Sequence, residues 1–221
     1  ILLKPEATLW LNTGKTHGMN FDVLIRRQKF TTVENAIAHE FGYLLQHTTD
    51  VAIINGDNKL MLEQQSRFKG RVKMVSDAQL NHYEISKTGT IFEINKSRYR
   101  FEYFLPREFF YSIAMTRLLV EYLGIEFDAS FTGFSLPPGR SSILRGIKNT
   151  TLIDSSYNAT PEGMSAIIKS FGRYPAQTKW LVLGDMIELG SEEQEEHEEL
   201  ARLVASVETS KIILIGPRIS K

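Results

Sequence analysis

The sequence predicts an α/β protein made of two successive parts, the first of which contains a small antiparallel region. Short apolar runs that end in acidic or glycine-rich turns alternate with helical patterns, as in parallel sheets flanked by helices. Between Tyr83 and Leu105 the pattern changes to short alternating strands, which is typical of an antiparallel meander. The stretch from Phe127 to Gly146 is rich in glycine, serine and proline and predicts the boundary between the parts.

The first part is predicted to contain three buried strands, two helices between them and, after the meander, one further helix. The predicted strands are Ala7 to Asn12, Val51 to Ile54 and Val72 to Val75. The predicted helices are Glu34 to Leu45, capped by Thr31 or Thr32, Leu60 to Phe68, and Phe109 to Leu123. The last of these is apolar around most of its circumference, so we expect it to be well buried.

The second part is predicted to be a βαβαβ arrangement with acidic turns at the strand ends. Thr160 can cap the first helix, and Pro161 suits its first position because the missing N–H costs nothing there. Ligands in open α/β sheets bind at the carboxyl ends of strands. The candidate site residues at these ends are Asp154, Tyr157, Asn158 and Asp185.

Composition excludes several function classes. The 26 basic and 26 acidic residues cancel, so no net charge points to nucleic acid or to an anionic membrane. The absence of cysteine excludes disulfides and cysteine metal sites and is compatible with the cytoplasm. No apolar run approaches the roughly 20 residues of a membrane span. The chain begins without methionine or a basic leader, so we interpret it as a fragment and not as a signal peptide.

The segment Gly14-Lys15-Thr16 invites comparison with a phosphate-binding loop, but the comparison fails. The full pattern needs a glycine five positions before Gly14, and Leu9 occupies that position. We therefore interpret the segment as a strand-end turn, with Lys15 facing solvent or lying near a site.

Three further segments carry a resemblance to a known family. They are I-D-S-S-Y-N-A-T-P-E-G-M (Ile153 to Met164), V-L-G-D-M-I-E-L-G (Val182 to Gly190) followed by His197, and L-P-P-G-R (Leu136 to Arg140). Together they resemble the Mur ligases, and among these the members that add D-alanyl-D-alanine. The resemblance is strong over Phe134 to His197 and weaker, though continuous, from Lys4 to Leu123.

The resemblance implies a domain organisation. Residues 1–132 correspond to the second part of the ATP-binding α/β central domain, including its meander, and residues 133–148 to the linker. Residues 149–221 correspond to the first part of the Rossmann-like C-terminal domain. The chain therefore looks truncated at both ends.

The resemblance also implies a nucleotide site. Arg140 corresponds to a linker arginine that approaches the ATP phosphates, and Asp154 to an aspartate that meets the ribose, so both are the candidate catalytic and ATP-binding residues. The alternative roles are a linker arginine that pairs with a domain surface and a strand-end carboxylate that caps a helix. Tyr157 and Asn158 belong to the same signature and either contact ATP or shape the turn.

Two residues of the first part complete the implied site: Asn12 as a cofactor-binding residue and His17 as the metal ligand. Asn12 ends the first strand, and His17, five residues later, matches the family's Mg²⁺ ligand; the alternative for His17 is a loop-capping role. Mg²⁺ prefers oxygen ligands, so this assignment depends on the resemblance and not on metal chemistry.

The chain departs from the family pattern at two places. The family commonly carries a carbamylated lysine within the segment that reads Ala38 to Gly42 here, and the candidates to replace it are His39, Glu40 and Lys29. Where the family usually reads G-x-H-N-x-x-N, this chain carries Phe109, Phe110 and Ile113, which cannot donate the same hydrogen bonds.

Three residues of the second signature have no assigned catalytic role. We interpret Asp185, Glu188 and His197 as structural or as contacts on the amino-acid side of the site. The pattern Ser191 to Gln194 predicts a capping box at the start of the following helix.

The implied reaction is ATP-dependent amide synthesis in peptidoglycan precursor formation. ATP activates the carboxylate of a UDP-N-acetylmuramoyl peptide as an acyl phosphate, and an amino acid or D-alanyl-D-alanine then displaces phosphate, with Mg²⁺ as the metal. We expect a cytoplasmic, monomeric full-length enzyme without nucleic-acid or membrane partners, and an inactive fragment. The alternatives are a diverged binding or regulatory module without ATP chemistry and a polyglutamate- or cyanophycin-type ligase.

Overall fold

The structure is a computed structural model that describes residues 4–15 and 18–220. Within these residues it contains ten β-strands and six α-helices. The strands are β1 (Ala7–Trp10), β2 (Val51–Asn55), β3 (Arg71–Val75), β4 (Leu80–Ser86), β5 (Gly89–Ile94), β6 (Ser97–Phe101), β7 (Ser142–Arg145), β8 (Thr151–Asp154), β9 (Trp180–Gly184) and β10 (Lys211–Ile215). The helices are α1 (Asp22–Gln28), α2 (Val33–His47), α3 (Lys59–Gln64), α4 (Phe109–Tyr122), α5 (Pro161–Gly172) and α6 (Glu193–Ala205).

The chain divides into two compact units. The first unit comprises Ile1–Asn81 and Glu108–Asp128, and the second comprises His82–Arg107 and Ala129–Lys221. Most of the meander thus clusters with the C-terminal elements, whereas the predicted boundaries group it with residues 1–132. Those boundaries concern the domains of the whole protein and stay a prediction.

The first unit is built around a parallel sheet in the order β1-β2-β3. All five residues of β2 are buried, as its continuous apolar run predicts for a central strand covered on both faces. Trp10, Ala52 and Ile54 form a core with Leu45 of α2 and Met61 of α3. The carboxyl ends of the three strands lie at one edge of the sheet because the strands are parallel.

Helix boundaries in the first unit follow local side-chain chemistry. Thr32 is the N-cap of α2, and its hydroxyl accepts a hydrogen bond from Asn35 N at 3.2 Å. Helix α4 packs against the sheet and buries Phe110 and Ile113, which confirms the predicted buried helix. Helix α1 was not predicted from the sequence.

The second unit holds the meander β4-β5-β6 and two pairs of strands. The predicted meander and the cap of α5 are both present: Thr160 Oγ1 accepts a hydrogen bond from Gly163 N at 3.2 Å. Strands β9 and β10 are parallel, and Leu181 and Leu183 form a core with Ile168 of α5 and Leu200 of α6. The predicted α/β fold class is confirmed.

One local prediction for the second unit is wrong, and one strand pairing was not predicted. Strand β8 does not pair with β9; it forms an antiparallel hairpin with β7, which the sequence did not predict. Helix α6 begins at Glu193 after a 3₁₀ turn and has no side-chain cap, so the predicted capping box at Ser191 does not form. Both differences arise because tertiary pairing and turn geometry override the local pattern.

None of the helices in the described ranges, 4–15 and 18–220, is long and apolar enough to cross a membrane.

Candidate functional site

The hairpin β7–β8 brings the linker motif alongside the acidic strand end of the second unit. Ser142 is the register partner of Asp154 in this antiparallel pair. The chain before Ser142 therefore runs beside the chain after Asp154. This pairing is why Arg140 and Tyr157, seventeen positions apart, lie in contact.

The guanidinium of Arg140 stacks on the ring of Tyr157. Its central carbon lies 4.0 Å from the ring centroid, and both side chains are exposed. Within the described residues this guanidinium makes no hydrogen bond and no ion pair. Arginine carries five N–H donors in one plane, so these donors are available to an anion.

The backbone of the linker motif is fixed against the turn that carries Tyr157. Gly139 is buried, and its carbonyl accepts a hydrogen bond from Tyr157 N at 3.1 Å. Its φ is +75°, a conformation that other residues rarely adopt, and a Cβ would stand 3.2 Å from Tyr157 N. The glycine of L-P-P-G-R is thus required by the turn.

Asp154 ends β8 as a half-buried carboxylate. Its Oδ1 accepts a hydrogen bond from Ser156 N at 3.0 Å. Hydrogen bonds from the Ser156 side chain and backbone lower the pKa of Asp154 below its ordinary value, so it is ionised at neutral pH. An ionised carboxylate can accept hydrogen bonds from the hydroxyls of a sugar.

Asn158 takes part in the turn that leads into α5. Its Oδ1 accepts a hydrogen bond from Ala159 N at 2.9 Å, and the side chain is exposed. Asn158 directly follows Tyr157 in the sequence, and its hydrogen bond is local.

The carboxylate of Asp185, which follows β9, accepts hydrogen bonds from other residues of the protein. Its Oδ1 accepts hydrogen bonds from Arg218 N at 3.0 Å and Ile219 N at 2.8 Å. Burial raises the pKa of Asp185, but these backbone hydrogen bonds and the Arg218 side chain outweigh it and lower the pKa overall. Arg218 also donates to Glu193 at 2.8 Å. This cluster ties the loop after β10 to the end of β9 and supports a structural role.

His197 is held between two backbone groups. Its Nε2 accepts a hydrogen bond from Met186 N at 3.2 Å, and its Nδ1 lies 2.7 Å from the carbonyl of Glu193. Nδ1 must therefore carry the proton, because a carbonyl can only accept. This geometry fixes the turn after β9 onto α6.

The carboxyl edge of the first unit carries a second polar cluster. Asn12 Oδ1 accepts a hydrogen bond from Asn58 Nδ2 at 3.1 Å, and Asn58 caps α3 through Met61 N. Asp57 accepts hydrogen bonds from Asp77 N and from the hydroxyl of Tyr111. Tyr111 was not singled out from the sequence; its only signal was a hydroxyl in an otherwise apolar segment.

Lys15 is not solvent-facing, contrary to one of the two expectations for it. Its Nζ lies 3.4 Å from Glu34 Oε1, and the two side chains are only 21% and 24% exposed. The pair joins the loop after β1 to the first turn of α2. A lysine engaged in this way also differs from the lysine of a phosphate-binding loop.

The predicted metal site has no support among the described residues. His17 lies outside them, and residues 4–15 and 18–220 contain no group of three or more His, Cys, Asp or Glu that could hold a metal. Nδ1 of His39 is not available to a metal, because it lies 2.7 Å from the guanidinium of Arg67. That cation would repel a metal ion at the same nitrogen.

Comparisons with known proteins agree with these motifs. Residues 139–221 match the family described as "Mur ligase, glutamate ligase domain". A UDP-N-acetylmuramoyl-tripeptide–D-alanyl-D-alanine ligase of Rickettsia prowazekii is 34% identical over 116 residues, which cover 51% of this chain and 26% of that protein. The corresponding ligase of Escherichia coli is 27% identical over 229 residues, which cover 97% of this chain and 48% of that protein.

A solved structure shows the same fold. The MurF ligase of Thermotoga maritima in complex with ADP superimposes with a TM-score of 0.76 and 22% identity, covering 95% of this chain and 52% of that one. The predicted resemblance to the Mur ligases is thus confirmed. The chain spans about half the length of the relatives that it matches along most of its own length.

Proposed function

We propose that this chain, which is similar to the Mur ligases over nearly its whole length, is part of an ATP-dependent ligase that adds D-alanyl-D-alanine to a UDP-N-acetylmuramoyl tripeptide. The observation that carries the proposal is the β7–β8 hairpin. It pairs the ionised Asp154 in register with Ser142, two residues after Arg140, whose guanidinium has no protein acceptor within the described residues. The named relatives add D-alanyl-D-alanine, and this favours a dipeptide over a single amino acid as the amine.

The residues present fit a nucleotide. A guanidinium whose donors are unoccupied can bind two phosphate oxygens at once, and its positive charge offsets charge that develops during phosphoryl transfer. Asp154 can accept hydrogen bonds from ribose hydroxyls. ADP is bound by a solved structure of similar fold, which supports a nucleotide as the ligand of this chain.

In the proposed reaction the tripeptide carboxylate oxygen attacks the γ-phosphorus of ATP, and the bond to ADP breaks. The amine of the dipeptide then attacks the resulting acyl carbon, loses a proton and displaces inorganic phosphate. The contribution of this chain is electrostatic and positional: Arg140 holds phosphate oxygens and Asp154 holds the sugar.

We assign no Mg²⁺ ligand among the described residues. Those residues offer no cluster of ligands for it. Four expectations stay predictions from the resemblance: the metal role of His17, the nucleotide contact of Asn12, the monomeric state and the cytoplasmic location.

A module without ATP chemistry is the second candidate, and one observation favours it. Phe110 and Ile113, which replace the family's polar pattern, are buried in the core of the first unit. They cannot contact a nucleotide in that position, so any adenine contact must come from other residues, such as Tyr111 or the exposed strand-end amides.

Substrate dependence tests the proposal. We expect the full-length protein to release ADP only when the muramoyl tripeptide and D-alanyl-D-alanine are both present, and to form one pentapeptide per ADP. Replacing the dipeptide by L-glutamate, the matched control amine, should abolish product. Stoichiometric product with L-glutamate would favour a polyglutamate-type ligase, and no ADP release with any acceptor would favour the module.

A further inference from the structure

Arg140 and Tyr157 form a stacked pair that leaves the donors of the arginine unoccupied. The ring covers one face of the guanidinium at 4.0 Å, while the N–H donors lie in the guanidinium plane. Stacking of this kind restrains the direction of the group without using a donor or neutralising its charge.

Two other arginines that lie over tyrosine rings behave differently, whereas Arg173, which lies over Tyr83, also has no acceptor for its side chain within the described residues. Arg71 lies over Tyr122 at 5.7 Å but donates two hydrogen bonds to Asp50. Arg67 lies over Tyr43 at 5.1 Å but donates to the carbonyl of His39. In both cases the guanidinium donates hydrogen bonds to an acceptor within the protein, so these donors are not available to a ligand.

Burial does not explain the position of Tyr157. The residue is 64% exposed, and its hydroxyl makes no hydrogen bond within the described residues. An exposed aromatic ring gains little from the hydrophobic effect. What fixes it is its backbone bond to Gly139 and its contact with Arg140.

We propose that Tyr157 is a positioning residue that holds the guanidinium of Arg140 with its donors directed outward, ready for the phosphate oxygens of a nucleotide. The inference deepens the proposed function and depends on it. The ring face, and not the hydroxyl, performs this role. Loss of the ring leaves Arg140 charged but mobile, so the protein must order a long side chain each time a nucleotide binds.

A double-mutant cycle in the full-length protein tests the role. We expect Tyr157→Phe to resemble the wild type, and Tyr157→Ala to raise KM for ATP on the order of fivefold, the size of an exposed cation–π contact. KM for the dipeptide and the melting temperature of the unliganded protein should change little. In the Arg140→Ala background, Tyr157→Ala should have no further effect, because the ring acts through the arginine.

The matched control is Arg173→Ala, which removes an exposed arginine stacked on Tyr83 at 5.6 Å in the same unit. It should leave KM for ATP unchanged. The inference is overturned if Tyr157→Phe loses as much as Tyr157→Ala, because the hydroxyl then acts directly. It is also overturned if the effects of the Tyr157 and Arg140 substitutions add.

The rise in melting temperature caused by inorganic triphosphate tests the positioning role of Tyr157 separately from the proposed ligase function, because this measurement needs no turnover. A wild type that makes no product would contradict the proposed function. If triphosphate still raised its melting temperature, and raised it less in Tyr157→Ala than in Tyr157→Phe, the positioning role would stand. Equal shifts in the two variants would refute it.

Discussion

Arg140 and His197 belong to two of the three family signatures, yet their polar atoms have opposite kinds of partners. Both ring nitrogens of His197 meet backbone groups of the protein, at 3.2 and 2.7 Å. The guanidinium of Arg140 meets only an aromatic face. Polar atoms that are already hydrogen-bonded within the protein are not available to a ligand. The presence or absence of such hydrogen bonds therefore distinguishes structural residues from candidate binding residues.

His197→Ala should destabilise the protein. The substitution leaves the N–H of the buried Met186 without its acceptor, which costs about 1–3 kcal/mol of unfolding free energy. Chemical denaturation of the full-length protein measures this loss. His82→Ala is the matched control, because His82 is exposed and its contact with Glu84 is at the surface, so its effect should stay within about 0.5 kcal/mol. Equal losses in the two variants would show that the Met186 bond contributes nothing.

At this scale the sequence predicted the candidate site better than it predicted the partners of each residue. Arg140, Asp154 and Tyr157 were named from motifs. In the structure Arg140 contacts Tyr157, and Asp154 is the register partner of Ser142 in the same hairpin. Tyr111 was missed because a single hydroxyl in an apolar helix gives no periodic signal. The contact of Asp185 with residues 218 and 219 depends on a loop conformation that local patterns do not encode.

Strand-end chemistry organises both edges of the parallel sheet in the first unit. The carboxyl edge carries Asn12, Asn58 and Asp57. The opposite edge is closed by Asp50, which accepts two hydrogen bonds from Arg71 and one from the hydroxyl of Tyr122 at 2.8 Å. This second cluster ties the end of α4 to the starts of β2 and β3.

The hydrogen bonds of Asp50 should make the folding stability of the protein depend on pH in the acidic range. The hydrogen bonds of Arg71 and then of Tyr122 lower the pKa of Asp50 below its ordinary value of 3.8. A carboxylate with a depressed folded-state pKa stabilises the protein above its unfolded pKa, and this stabilisation is lost as pH falls through the folded-state pKa. Asp50→Asn should therefore be less stable than the wild type at pH 7, and the difference should shrink below about pH 4.

Denaturation midpoints measured between pH 2 and pH 7 would show this convergence. Glu208→Gln is the control, because Glu208 is exposed and has no hydrogen bond or ion pair within the described chain. The assignment would be contradicted if the difference between the denaturation midpoints of the wild type and Asp50→Asn stayed the same across this pH range.

Elements with a strong periodic signal were predicted, and elements that depend on a distant partner were not. Strand β2 and helix α5 have uninterrupted apolar patterns and clear caps, and both formed as expected. Strand β7 is short and lies in the segment that composition assigned to a linker. It becomes a strand because β8 supplies its hydrogen-bond partners, which is a tertiary effect.

At the scale of the molecule, the protein has one unit built on the parallel sheet β1-β2-β3 and a second unit that carries Arg140. The relatives that match along most of this chain are about twice as long, so the activity belongs to the whole protein and is proposed for it. The sequence around Gly14-Lys15-Thr16 does not match the full phosphate-binding-loop pattern, since Leu9 stands where the pattern needs glycine. What this chain contributes to the proposed reaction is Arg140 and Asp154.

Nucleotide-induced stabilisation of the full-length protein tests that contribution most directly. Ligand stabilisation follows affinity for the folded state, so loss of a charged hydrogen bond should reduce it by about 1.5–3 kcal/mol. We expect Mg-ATP to raise the melting temperature of the wild type and of Arg173→Ala equally, and to raise that of Arg140→Ala and Asp154→Ala clearly less. Equal shifts in all four proteins would show that neither Arg140 nor Asp154 contacts the nucleotide.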